Sequence, residues 1–263
     1  MNTAASTLNL PRSTLLAGRR AIVTGGSNPR GIGYAIAHAL QQAGATVISL
    51  DVAPASATAP WTSLPCDVAK EDDCRQAVQS ATATLGGLDL LINNAGIVGA
   101  APLDQISDRE FRQMLEINLL GAVHMTQAAL AALKQSAQES PQTSPGIVNI
   151  ASMAAYRGGG LLGSAHYATS KGGLISFTRA CARSWDRSRH TRQRGRPGII
   201  ETDVTIGKFG DDWEQQPKST IPSGRFGAPA EVAQVVVFLA QRDGQLCERC
   251  RDRCQRRHLH ALE

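Results

Sequence analysis

Between Ala21 and Asp51 the chain spells one supersecondary unit in a fixed order. Ala21-Ile22-Val23-Thr24 is a short apolar run of the kind that forms a buried strand. The glycine-rich stretch Gly25-Gly26-Ser27-Asn28-Pro29-Arg30-Gly31-Ile32-Gly33 follows, and Tyr34-Ala35-Ile36-Ala37-His38-Ala39-Leu40 then has helical periodicity. Eighteen residues after Gly33 the next apolar run, Val47-Ile48-Ser49-Leu50, ends at Asp51. Glycines at a strand-to-helix turn let a pyrophosphate approach backbone N–H groups at the positive helix end. An acid closing the second strand accepts hydrogen bonds from both adenosine ribose hydroxyls. A glycine turn alone is often only a turn, but strand, turn, helix, strand and acid in order predict a dinucleotide site.

A second constellation lies downstream. Tyr167 and Lys171, in Tyr-Ala-Thr-Ser-Lys, stand four apart and so share one face of a helix. A phenol titrates near ~10, and trading protons near neutrality requires an adjacent cation to stabilise its phenolate. Lys171 is spaced to do that, and Ser152, at the end of the apolar run Val148-Asn149-Ile150-Ala151, can hold a substrate oxygen before the phenol. Taken alone, Tyr and Lys at this spacing more often make an ordinary half-exposed helix face.

Together these pieces resemble the short-chain dehydrogenase/reductase family, in its branch built as one Rossmann domain. The match runs from about Ala17 to Arg179 and resumes from Pro197 to Leu239. It includes Thr24-Gly25 with Gly31-Ile32-Gly33, Asp67-Val68, Asn93-Asn94-Ala95-Gly96, Asn118, Ser152, Tyr167 with Lys171, and Pro197-Gly198 with Thr202. The resemblance implies a three-layer α/β/α fold on a doubly wound parallel sheet, with 18–263 as a single domain behind a flexible leader, 1–17. It implies Tyr167 as general acid/base, Lys171 on the nicotinamide ribose and the phenolate, Ser152 on the substrate oxygen, and Asn118 holding a water that extends the proton path. Gly25, Gly31, Ile32 and Gly33 would face the phosphates, Arg30 would bind the cofactor, Asp51 would face the adenosine ribose, and Asp67 and Val68 the adenine. Asn94, Ala95 and Gly96, with Tyr167 and Lys171, would support the second ribose. Pro197, Gly198, Ile200 and Thr202 would hold the carboxamide.

Two spacings depart from the family pattern. The glycine turn is two residues longer than usual, with Pro29-Arg30 at its tip. Ser152 to Tyr167 is also about two residues longer, with the insertion placed in Gly158–Gly163, where it either shapes specificity or is a tolerated surface loop. Asp51 repels and crowds a 2′-phosphate and favours NAD(H). Arg30, a basic residue before this glycine, points to NADP(H) in the family. NAD(H) is the expectation, because Asp51 sits at a rigid strand end, and NADP(H) stays open.

Two stretches do not fit. Residues 183–196 read Arg-Ser-Trp-Asp-Arg-Ser-Arg-His-Thr-Arg-Gln-Arg-Gly-Arg where the family has a helix end and a buried strand. Residues 241–258 hold Arg and Cys where a last strand and a Gly-Gly turn are expected. Neither has strand alternation or a continuous apolar run. A buried strand with four or five apolar side chains at ~1.5–3 kcal/mol each contributes on the order of 10 kcal/mol, against a net stability of ~5–15 kcal/mol. Two lost strands predict an exposed sheet edge and no stable fold.

A shifted reading frame accounts for both. Arg189–Arg196 can be encoded CGG CAT ACG CGT CAA CGC GGT CGC, and one base on, the same letters give Gly-Ile-Arg-Val-Asn-Ala-Val followed by Ala. Codons allowed for 241–258 can, one base on, spell Ser-Ala-Thr-Ala-Ser-Phe-Val-Ser-Gly-Ala-Val-Ile-Ala-Val-Asn-Gly-Gly.

The net charge of +5 then loses its meaning for nucleic-acid binding: the two stretches carry +8 together, leaving −3 elsewhere. Cys247, Cys250, Cys254, His258 and His260, loosely spaced like zinc ligands, belong to the same text, so no metal is expected. Cys66 and Cys74 read as packing residues of a reducing compartment, and His166 as structural or exposed. No apolar run is long enough to span a membrane, and Met1–Leu16 lacks a secretory apolar segment, so the expected location is the cytoplasm. The helix after Ser107, running to Leu133, and the Tyr167 helix commonly pack across a dimer interface in the family, which implies a homo-oligomer, dimer or tetramer. Ser136–Pro145 reads as a surface loop and Thr205–Thr220 as a lid.

The reading is an NAD(H)-dependent enzyme interconverting a small-molecule secondary alcohol and ketone. Its alternatives are an NADP(H)-dependent 3-oxoacyl-thioester reductase, suggested by Ile221–Gly227, and a non-catalytic dinucleotide-binding protein, which the intact Asn118, Ser152, Tyr167 and Lys171 set argues against.

Overall fold

The computed structural model of the chain describes residues 15–54, 56–139, 145–159, 163–184, 191–195, 200, 202–203 and 224–241. Six parallel strands lie in the order β3-β2-β1-β4-β5-β6. They are β1 (Arg20–Thr24), β2 (Thr46–Asp51), β3 (Thr62–Pro65), β4 (Leu90–Asn93), β5 (Gly146–Ile150) and β6 (Thr191–Gly195). The helices are α1 (Ile32–Gln42), α2 (Glu71–Leu85), α3 (Asp108–Leu115), α4 (Gly121–Glu139), α5 (Ala154–Arg157), α6 (Ala165–Ser184) and α7 (Pro229–Ala240). The strand order reverses between β1 and β4, and a crevice opens there at the carboxyl ends of the strands.

Strands covered on both faces need apolar residues of both parities, and β1 supplies them. Ala21 and Val23 join a core with Ile36, Leu40, Val236 and Val237, under α1 and α7. Ile22 joins the opposite core with Val78, Met125 and Leu133, under α2 and α4. Local signals set several helix ends. Ser107 caps α3 in a capping box with Glu110, and α2 stops at Gly86 with φ 71°.

The structure corrects three expectations. The leader is not loose to its end: Leu16 is buried in the α1 core, and its N–H donates to the Ala43 carbonyl at 2.7 Å. The helix expected to stop at Leu133 continues to Glu139, because Ser136 is drawn inward by Asp89 and Arg20. The stretch 183–196 does contain a strand. β6 pairs in register with β5, Ile147 opposite Arg192 and Asn149 opposite Arg194. Backbone N–H and C=O groups pair whatever side chains they carry, so β5 is not left as an exposed edge. The region 241–258 lies outside the described residues beyond Gln241, as do residues 1–14, Thr205–Thr220, and the five cysteines and histidines named above.

One buried ion pair ties the strand starts together. Arg20 Nε lies 2.9 Å from Asp89 Oδ2, the Arg20 backbone N–H donates to the same oxygen, and Ser136 donates to Oδ1. Burial raises the Asp89 pKa, but the hydrogen bonds from Arg20 and Ser136 outweigh it and hold the carboxyl below its usual range. A depressed carboxylate stabilises the fold above its unfolded pKa of ~3.9 and loses that contribution as pH falls through the lower folded value. Asp89→Ala, which strands Arg20, is expected to cost about 3–5 kcal/mol in urea unfolding at pH 7. A loss under about 1 kcal/mol, the level of a surface pair, would show that the bridge contributes little.

Candidate active site

The glycine turn between β1 and α1 is built by close packing. Gly25 has φ 74°, and a Cβ there would meet Ala95 Cα at 2.9 Å. A Cβ on Gly33 would stand 2.1 Å from the Gly25 carbonyl oxygen, so only glycine lets the helix start this near the turn. Gly31 is the N-cap of α1, with no side-chain cap and no acid in the first turn, and Ile32 opens the helix. Among the described residues no side chain caps the N–H groups of that end, as a phosphate site requires. Asp51, at the end of β2, accepts from Ser27 N–H at 2.9 Å and Ala53 N–H at 3.1 Å. Thr24 Oγ1 accepts from the N–H groups of Asn94 and Ala95, both at 3.0 Å, and Asn94 Nδ2 donates to the Thr24 and Gly25 carbonyls. These bonds lock the β4 end to the glycine turn.

Val68 is buried, with its Cγ2 against Gly121, and lines a small cavity with Thr24, Ala95 and Asn118. Asp67 accepts from Ala69 N–H and pairs with Lys70 at 3.4 Å. Ile200 bridges to Gly227, Thr202 lies just beyond it, and Pro197 and Gly198 fall outside the described residues. Arg30 is exposed and pairs with Asp203.

The four residues singled out for chemistry converge. Between α3 and α4 the helix opens into a π-turn, Glu116–Leu120, which carries the buried Asn118. Asn118 Oδ1 accepts from Ile97 N–H and Nδ2 donates to the Ile97 carbonyl, both at 2.8 Å. Lys171 is buried on α6 and its Nζ donates to the Ile150 carbonyl at 2.8 Å. Burial pulls its pKa to about 8, which leaves the ammonium predominant at neutral pH. Lys171 Nζ lies 6.0 Å from the centre of the Tyr167 ring. Burial raises the Tyr167 pKa, and a hydrogen bond with Ser152 works against that rise. Ser152 Oγ also accepts from Ala154 N–H. A Cβ on Gly96 would be 2.9 Å from Asn118 Oδ1 and 3.6 Å from Lys171 Nζ, so these two groups flank Gly96.

Some residues that hold the site escaped sequence reasoning. Gly163 has φ 95°, and a Cβ there would strike the Tyr167 ring at 2.3 Å. Its presence in a glycine-rich loop was visible, but its target was not. Asp203 and the side chain of Asn28 carried no signal at all. His166 is buried, with Nδ1 3.2 Å from Ser164 Oγ and its ring 6.2 Å from that of Phe111. Cys66 and Cys74 are buried free thiols, and the described residues contain no cluster of three metal-ligating side chains.

The sequence model of a family described as enoyl-(acyl carrier protein) reductase matches residues 25–248. An uncharacterised short-chain type dehydrogenase/reductase of Sinorhizobium fredii is 31% identical over 86% of this chain and 91% of its own. The chain is a short-chain dehydrogenase/reductase. As a member of that family it is an NAD(P)-dependent oxidoreductase, and the uncapped α1 end and locked glycine turn fit a dinucleotide. The 3-oxoacyl-[acyl-carrier-protein] reductase FabG of Vibrio cholerae is 32% identical over 86% of this dehydrogenase and 91% of its own length. The ligand-free structure of the aldohexose dehydrogenase of Thermoplasma acidophilum has a TM-score of 0.78 and 26% identity, covering 89% of this chain and 91% of that one. No helix among the described residues is long and apolar enough to cross a membrane.

Proposed function

We propose that this dehydrogenase uses NAD(H) to interconvert a secondary alcohol and a ketone, with Tyr167 as general acid and base. The hydrogen bond between Ser152 and Tyr167, beside the buried Lys171 ammonium, carries the reading. When bound, the nicotinamide supplies or takes up the hydride. In ketone reduction, Ser152 holds the carbonyl oxygen and the Tyr167 hydroxyl gives it a proton; in alcohol oxidation the phenolate takes that proton back. The Lys171 charge favours the phenolate. Asn118 and Lys171, flanking Gly96, form the inner end of the path that returns a proton to Tyr167.

The choice of NAD(H) rests on Asp51. Two backbone donors fix its carboxylate at the end of β2, where it would meet the adenosine ribose and oppose a 2′-phosphate. A second reading, reduction of a 3-oxoacyl thioester with NADP(H), is favoured by the name of the Vibrio relative. Comparing kcat/KM for both cofactors over alcohols, sugars and a 3-oxoacyl thioester separates the two. NAD⁺ oxidation of an alcohol is the expected result, and a clear NADP(H) preference on the thioester would replace it with the second reading. Cofactor binding without turnover on any of them would favour a binding protein. We also propose a cytoplasmic homo-oligomer, dimer or tetramer, joined through α4 and α6; a monomeric mass by light scattering would end that part.

A further inference from the structure

The two residues that lengthen the glycine turn give it a tip with a partner of its own. Asn28 folds that tip: its carbonyl accepts from Gly31 N–H at 2.8 Å, and its Oδ1 accepts from Arg30 N–H at 3.0 Å. The tip then reaches across to Asp203, 175 residues away from Asn28 in sequence. Asn28 Nδ2 donates to Asp203 Oδ2 at 2.9 Å, and Arg30 Nη2 stands 2.5 Å from Asp203 Oδ1. One carboxylate thus takes both tip side chains, one on each oxygen. The contact joins the β1–α1 turn to the segment that follows β6, on the two sides of the crevice where the strand order reverses.

We propose that Asp203 is a cofactor-specificity residue that acts through Arg30, holding its guanidinium on the post-β6 segment and withholding it from the 2′ position of the adenosine ribose. Arg30 is the nearest cation in sequence to the phosphate turn, and a free guanidinium there would match a phosphate dianion. Held by Asp203, it supplies no counter-charge at the β2 end, where Asp51 stands fixed by Ser27 and Ala53. Asp51 alone would repel a 2′-phosphate; Asp203 removes the group that would offset the repulsion. The inference rests on the NAD(H) reading above, and it adds a residue that the glycine turn and Asp51 do not contain.

Equilibrium binding of NADH and NADPH, followed by nicotinamide fluorescence, tests it without turnover. Asp203→Asn keeps the size of the side chain and an acceptor for Asn28 but removes the charge that holds Arg30. The expected result is NADPH binding tightened about two- to fivefold relative to NADH, the worth of an exposed ion pair that no longer has to be broken, with NADH affinity nearly unchanged. Adding Arg30→Gln to Asp203→Asn should cancel that gain. A wild-type preference for NADH with an unaltered ratio in Asp203→Asn overturns the role of Asp203 and spares the NAD(H) reading. A gain that persists in the double variant also overturns it, since Arg30 would not be the agent. A wild type that binds NADPH more tightly defeats both.

Discussion

Replacing Tyr167 by Phe is expected to lower turnover by about 10²–10⁴-fold, the usual worth of a positioned proton donor or acceptor. NADH binding should survive to within roughly tenfold, the most that one ordinary hydrogen bond contributes. The substitution removes one oxygen and keeps the ring that packs against Gly163. Ser152 still accepts from Ala154, and Lys171 still donates to the Ile150 carbonyl, so the neighbours of the missing hydroxyl stay placed. A pH profile sharpens the result. In the wild type, alcohol oxidation should rise with pH as the phenol ionises, its pKa raised by burial and eased downward by Ser152. In Tyr167→Phe that rising limb should vanish. Unchanged turnover would remove Tyr167 from the chemistry and return the pair to an ordinary helix face.

The second large effect concerns the two Arg-rich stretches. We propose that they are frame-shifted text and that a protein carrying the alternative-frame residues is much more stable. β6 shows where the first stretch belongs: Thr191–Gly195 lie parallel to β5, at a position that α6 and α7 both approach. Strands covered on both faces are nearly continuous in apolar residues, and Thr-Arg-Gln-Arg-Gly has none. The alternative frame sets Arg192→Val and Arg194→Ala in the same register, with Ile at 190 and Val at 195. Each restored strand adds apolar burial on the order of 10 kcal/mol. That equals the whole net stability of an ordinary domain. The expected result is a denaturant midpoint far above that of the chain with the Arg-rich stretches. Equal midpoints would sink the proposal, as would coding DNA whose codons are incompatible with the alternative frames. Mass spectrometry across 180–200 and 240–263 provides an independent check, since Val- and Ala-rich peptides are expected in place of Arg- and Cys-rich ones.

Much of the architecture was legible because it is written in short-range periodicity. The run Ala21–Thr24 and the helix from Tyr34 gave β1 and α1, and the helix placed after Ser107 gave the start of α3. The misjudged parts depended on distant partners. Ser136 looks like loop chemistry until Asp89 and Arg20 turn it inward, and Leu16 looks like leader until Ala43 receives its N–H. The polar text of β6 gave no strand signal, because its pairing comes from the open edge of β5 and not from its own side chains.

By itself, the sequence determined the strand–turn–helix–strand unit of β1, α1 and β2, the glycine turn, the acid at the end of β2, and a Tyr and a Lys on one helix face; the full parallel sheet came from the family resemblance. The local features follow from spacings within a few turns of chain, where backbone geometry fixes the outcome. Only the tertiary structure decided that Ser152 meets the Tyr167 hydroxyl, that a π-turn brings Asn118 onto Ile97, that Lys171 is anchored on the Ile150 carbonyl, and that Asp203 captures Arg30. Those pairings join residues on different elements. Their geometry depends on strand register and helix placement, which the packing of the two cores sets and no local spacing encodes.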